Sequence, residues 1–214
     1  MFSFTVEPQN FLRERTLPLG FDRDPNLLFF ASNLHRDTFG IFSADLRTGK
    51  RTELAIEEPG IDLVDVDLPW LNSPLIFDRH RGTLAGIKLR NLDSSVRWLD
   101  AEIGAAQSEI ERQFPSRHVQ MLEWDQARTN FLCLVDSPGD PGRYFVYNRA
   151  SESCVEYLRR APLLPNRETN PAESFAFVTP DGVRITGYLT LPRTPAKTAS
   201  AVVVALHGGP WIRV

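Results

Sequence analysis

The residues in this chain with the most chemical potential lie near its end. They are His207-Gly208-Gly209-Pro210-Trp211, directly after the apolar run Ala201-Val202-Val203-Val204-Ala205-Leu206. Adjacent glycines after a strand-like run let the backbone turn sharply or approach a ligand with no side chain between. The same pair also serves simply to end a strand. Trp211 suits a pocket wall or the underside of a sheet, and its position leaves both open. The other histidines, His35, His80 and His118, have no Cys, Asp or Glu at a metal-ligand spacing, so no metal site is expected. His80 stands between Arg79 and Arg81, where a solvated turn outweighs an anion site. Ser137-Pro138-Gly139-Asp140-Pro141-Gly142 reads as a loop with no helix start behind it, hence no phosphate cradle.

These residues need elements to position them. Ala201 to Leu206 is rich in β-branched types and reads as a strand buried on both faces, the habit of a parallel sheet. Upstream, Ser174-Phe175-Ala176-Phe177-Val178 alternates and meets the turn Pro180-Asp181-Gly182. A second alternating run, from Val183 to Leu191, completes a β-hairpin closed by Pro192. A polar loop over residues 193–200 separates this hairpin from the apolar run.

Hairpin, polar loop, buried strand and His-Gly-Gly-Pro-Trp, in this order, resemble the start of the catalytic domain in the prolyl oligopeptidase family of serine peptidases. The nearest branch is that of acylaminoacyl-peptidases and dipeptidyl-peptidases. The matching pieces are Pro180-Asp181-Gly182, Gly187-Tyr188-Leu189-Thr190-Leu191-Pro192 and His207-Gly208-Gly209-Pro210-Trp211. The resemblance implies half of an oxyanion hole: Gly209 would donate its backbone N–H to the developing oxyanion, and Gly208 would let the loop turn. It makes His207, Pro210 and Trp211 structural members of that loop. In that family the serine lies on a Gly-x-Ser-x-Gly elbow further along, followed by an aspartate and a histidine. No such elbow occurs here, so no catalytic triad residue is assigned. The resemblance therefore implies the N-terminal portion of a peptidase that hydrolyses short peptides by acyl transfer, truncated after the loop and inactive alone.

The remainder reads as repeated hairpins. Residues 39–44 run through Asp45 into 51–54, and residues 74–77 run through Asp78 into 84–89. Residues 119–124 run through Asp125 into 131–135, and residues 144–147 run through Asn148 into 154–158. Each turn carries an Asp or Asn whose short side chain can hydrogen-bond the turning backbone. Hairpins repeated with little helix between them suit β-propeller blades or a β-sandwich. The family resemblance favours the propeller. Trp70, Trp98 and Trp124 read as blade core. A helix is expected from Asp100 to Phe114, capped by Asp100, with Ile103, Ala106, Ile110 and Phe114 on one packing stripe. Residues 1–26 hold a short strand or two.

The expected fold class is mostly β: partial propeller-like hairpins followed by the first strands of an α/β-hydrolase domain. Its divisions are residues 1–159, a proline-rich linker at 160–173, and the incomplete hydrolase start at 174–214. A net charge of −3 gives no reason to expect nucleic acid or an anionic membrane as partner. Cys133 and Cys154 read as buried free thiols, and no signal peptide or membrane-spanning run is evident, so the expected location is the cytoplasm. No cofactor is expected. The implied substrate is a short peptide or acyl-peptide. The alternatives are a non-enzymatic propeller module and a fragment of a related esterase. An apolar strand with few partners also predicts self-association through residues 201–206.

Overall fold

The computed structural model describes residues 14–64, 72–89, 95–163, 170, 172–192 and 201–205. Among these, thirteen strands and one helix form a mostly β, antiparallel fold, as the hairpin pattern predicts. Strands β1 (Thr16–Phe21), β2 (Leu27–Ser32), β3 (Gly40–Asp45) and β4 (Lys50–Ile56) make one sheet in chain order. Strands β5 (Leu75–Asp78), β6 (Thr83–Lys88) and β7 (Val96–Trp98) make a second. The helix α1 (Ala101–Gln113) follows. Strands β8 (His118–Trp124), β9 (Asn130–Ser137), β10 (Asp140–Asn148) and β11 (Ser153–Arg159) make a third sheet. Strands β12 (Ala172–Val178) and β13 (Arg184–Thr190) pair only with each other among the described strands. Strands that pair in chain order are meanders, the form of a propeller blade. The described residues up to Ala101 fall in one compact unit, and those from Glu102 to Val204 in another.

All four repeated hairpins of the sequence form, and their Asp or Asn residues do the work expected of them. Asp45 Oδ1 accepts the Arg47 N–H at 2.8 Å, and Asp78 Oδ1 accepts those of His80 and Arg81, both at 2.9 Å. Asp125 Oδ1 accepts the Thr129 N–H at 2.8 Å, and Asn148 Oδ1 that of Ser151 at 3.0 Å. Asp24 serves the β1–β2 turn in the same way, through Asn26 at 3.0 Å. A side-chain oxygen two to four residues before a turning N–H replaces the backbone acceptor that the turn removes. Strand β7 escaped the sequence reading because three residues are too few to display a period of two.

In the first unit the core lies between two sheets. Phe29, Ala31 and Ile41 from the four-stranded sheet, with Ile56, meet Leu75 and Ile87 from the three-stranded one, together with Phe39, Leu63 and Val64. Phe29 and Phe77 touch across this layer with ring centroids 6.0 Å apart. The neighbouring positions point the other way, as a period of two requires. There Phe30, Phe42 and Ala44 form a smaller cluster, with the Phe30 and Phe42 rings stacked at 5.7 Å.

In the second unit α1 is fastened beside the β8–β11 sheet. Ile103, Ala106 and Ile110 are fully buried, the stripe that the helical period predicts. Gln107 Nε2 donates to the Val119 carbonyl at 2.9 Å, and Phe114 packs on Phe145 with centroids 4.8 Å apart. Facing residues of the sheet include Val119, Met121, Phe131, Cys133, Val135 and Tyr147, all buried. Trp124 is buried in β8, in keeping with its reading as core, whereas Trp70 lies outside the described residues.

Two expectations are corrected. The stretch 137–142 is not a free loop: only Pro138 and Gly139 turn, and β10 begins at Asp140. The register slips between Asp140 and Arg143, a bulge in which Gly142 has φ +113°. A Cβ there would stand 2.9 Å from Leu134 Cδ1 and 3.2 Å from Asp136 Cβ, so glycine is required by both torsion and space. Residues 201–205 form no strand and are exposed, Val203 to 90%. A β-branched apolar run becomes a buried strand only with paired neighbours on both sides and cover on both faces. None of the described strands supplies these.

Candidate functional site

His207, Gly208, Gly209, Pro210 and Trp211 lie outside the described residues. The part of the expected catalytic opening that is described is the hairpin leading toward them. The β12–β13 ladder pairs Phe175 with Gly187, Phe177 with Ile185 and Glu173 with Leu189. Directly opposed residues share a face, so Phe175, Phe177, Ile185 and Leu189 make one apolar side of the ribbon. The other side carries Ala172, Ser174, Ala176 and Val178, opposite Thr190, Tyr188, Thr186 and Arg184. The Phe175 ring lies on Gly187, where an added Cβ would come within 2.7 Å of Cζ, and it stacks with Phe177 at 6.2 Å. The turn is tied by Thr179, whose N–H donates to the Val183 carbonyl at 2.9 Å and whose hydroxyl accepts the Val183 N–H at 3.0 Å. Thr179 Oγ1 also bonds the Asp181 carboxylate. Phe175 and Phe177 remain nearly half exposed.

The remaining histidines take structural positions. His80 is exposed in the β5–β6 turn. The His118 Nδ1 lies 3.2 Å from Asp136 Oδ1, its directly opposed partner on β9. The His35 N–H donates to Glu14 Oε1 at 2.9 Å. Neither carboxylate stands near its histidine in sequence; strand pairing alone supplies both. Cys133 and Cys154 are free thiols with β10 between their strands, where Cys133 faces Phe145 and Cys154 faces Tyr147. Two strand spacings exceed the reach of a disulfide. Burial, with a smaller contribution from Cys154, pushes the Cys133 thiol up to about 12, so it is unreactive near neutrality.

The described residues hold one further feature that the sequence reading missed. The polar flank of α1 meets the β8–β9 and β10–β11 turns through ion pairs. Arg149 grips Glu109 with both arms of its guanidinium, Nε to Oε2 at 2.9 Å and Nη2 to Oε1 at 2.7 Å. The buried Arg128 donates to Glu102 Oε2 at 2.5 Å. Glu102 and Glu109 are two helical turns apart and so share a flank. Their arginine partners are 26 and 40 residues away, beyond any local signal. Beside this network a cleft of about 260 Å³ opens, lined by Glu109, Arg112, Gln113, Tyr147, Arg149 and Glu152.

The chain is 23% identical over 205 residues to the dipeptidyl aminopeptidase BIII of Pseudoxanthomonas mexicana, a match covering 92% of this chain and 28% of that protein. It thus spans little more than a quarter of its relative's length. Among solved structures, a puromycin-hydrolyzing peptidase of Mycobacterium tuberculosis matches with a TM-score of 0.47 and 14% identity. That match covers 85% of this chain and 26% of the other. Prolyl oligopeptidase B from Galerina marginata matches with a TM-score of 0.38 and 13% identity, over 82% and 23% of the two chains. No protein-family model matches.

Proposed function

We propose that this chain is the N-terminal portion of a serine peptidase of the prolyl oligopeptidase family. It would contribute propeller-like blades and the opening of an α/β-hydrolase domain to an enzyme that hydrolyses short peptides or acyl-peptides. The observation that carries this reading is the match to a dipeptidyl aminopeptidase over 92% of the chain, which takes in both the meanders and the β12–β13 hairpin. The blade-like pairing order and the hairpin ahead of His-Gly-Gly-Pro-Trp support it. In this reading residues 1–159 are the propeller part, 160–173 the linker and 174–214 the hydrolase start. Gly209 donates its N–H to the tetrahedral oxyanion, Gly208 permits the turn, and His207, Pro210 and Trp211 shape the loop.

The chemistry is acyl transfer to a serine activated by a histidine, and it needs no metal or organic cofactor. The serine, aspartate and histidine are assigned to none of the residues here, because the chain has no Gly-x-Ser-x-Gly. We therefore propose that this chain alone does not turn over substrate. No helix among the described residues is long and apolar enough to cross a membrane. Free thiols fit a reducing compartment, and we place the protein in the cytoplasm.

The test is to translate the reading frame beyond Val214, express the extended chain and treat both proteins with a fluorophosphonate serine probe and chromogenic dipeptidyl substrates. The extended chain should carry a Gly-x-Ser-x-Gly, label at that serine and hydrolyse the substrate, while the present chain does neither. A frame without the elbow supports a non-enzymatic propeller module instead. Turnover by the purified present chain, surviving a mock-purification control, overturns the proposed inactivity.

A further inference from the structure

The cleft between α1 and the β10–β11 turn has its own logic of charge. Of its four charged residues, Glu109 and Arg149 neutralise each other through the two-armed pair described above. That leaves Arg112, in the last turn of the helix, and Glu152, in the strand turn. Neither makes an ion pair or side-chain hydrogen bond among the described residues. Both are exposed, so both are available to a solute. Between the two flanks stands Tyr147, only 2% exposed, its ring against Phe131 at 6.5 Å. Tyr147 lines the cleft, yet its hydroxyl bonds to none of the described residues. Its polar end is not sealed in the core but open to the cleft, where water or a solute can meet it.

The unpaired charges decide what chemistry suits the space. A simple anion on Arg112 would face the Glu109 and Glu152 carboxylates and the negative end of the helix. A simple cation on Glu152 would face two guanidiniums. A small molecule carrying one charge of each sign meets a partner at each end. The volume of about 260 Å³ admits a small molecule and excludes a folded partner. We propose that this cleft binds a free α-amino acid. The ligand's carboxylate would lie on the Arg112 guanidinium, its ammonium on the Glu152 carboxylate, and the Tyr147 hydroxyl would bond to it between them. Charges of both signs already act on that phenol. Burial and then Glu109 and Glu152 raise its pKa, while Arg149 and Arg112 oppose them.

Ligand-observed NMR titration of the intact chain with L-alanine, up to about 50 mM, tests this in the millimolar range expected of two solvated ionic contacts. N-acetylalanine lacks the ammonium and alaninamide lacks the carboxylate, and each should bind about tenfold more weakly than alanine. Arg112→Ala should weaken alanine about tenfold and leave alaninamide unchanged. Glu152→Gln should weaken alanine similarly and leave N-acetylalanine unchanged. Tyr147→Phe should weaken all three by a few-fold. Circular dichroism melts of the variants, two of them at exposed positions, keep folding and binding separate. No binding of alanine at the top concentration, or equal binding of all three compounds, overturns the proposal. So does loss of both blocked compounds with either charge variant.

Discussion

Asp140 shows how a buried carboxylate is retained in this fold. Its Oδ2 accepts from Arg117 Nη1 at 2.8 Å and lies 3.2 Å from Arg143 Nη2, while Oδ1 accepts the Gly142 N–H at 3.1 Å. Burial alone would raise its pKa. The Arg117 and Gly142 hydrogen bonds and the two guanidinium charges outweigh that and hold the carboxyl below its ordinary value. A carboxyl depressed in the folded state adds stability that is present above the unfolded pKa, about 3.9, and is lost as pH falls through the folded value. Asp140→Asn should therefore cost about 1–3 kcal/mol at pH 7 by leaving charged donors without their partner. The gap between variant and parent should close on acidification below about pH 4. Urea melts at pH 7 and pH 3 give both quantities, and a variant equal to its parent at pH 7 would remove Asp140 from the account.

At the scale of the element, the β12–β13 hairpin and residues 201–205 pose one problem. A two-stranded ribbon is marginal in water by itself, and this one leaves Phe175, Phe177, Ile185 and Leu189 substantially exposed. Residues 201–205 add three exposed valines with no strand partner among the described residues. Open edges and β-branched apolar runs are templates for pairing between chains. The isolated protein is expected to associate through residues 201–206. Val203→Lys places a charge at the centre of that run and should lower the apparent mass in light scattering at about 50 µM, where self-pairing of an open edge is a hazard. A monomeric parent at that concentration, or a variant that associates as before, would locate the adhesive surface elsewhere.

For the whole molecule, the proposed boundary at residues 160–173 can be read by protease. Pro162, Pro165 and Pro171 fall in it, and Leu163 is 94% exposed. The preceding strands are held in a continuous ladder, with β9 paired on both sides and β10 between β9 and β11. Cleavage needs a stretch of backbone free of such pairing. Brief digestion should therefore nick within 160–173 first and release a stable fragment containing β8–β11. Dominant early cleavage inside residues 119–158, mapped by mass spectrometry, would count against the boundary.

Local physics determined much of this protein. Alternation placed the four repeated hairpins, and an Asp or Asn at each turn carried its own hydrogen bond to the backbone. The stripe Ile103, Ala106 and Ile110 marked the buried side of α1 before any partner was known. These features depend on residues within a few positions of each other, so the amino-acid order displays them. Tertiary structure decided the rest. Whether Asp140-Pro141-Gly142 is loop or strand depended on Leu134 and Asp136 standing close beside Gly142, an approach made only when β9 and β10 pair. The apolar run at 201–205 had the composition of a buried strand, but strand formation requires neighbours, and composition cannot supply them. The Arg149–Glu109 pair joins residues 40 positions apart. The cleft beside it exists because strand pairing delivers a turn to the flank of a helix, a meeting that no short stretch of sequence encodes.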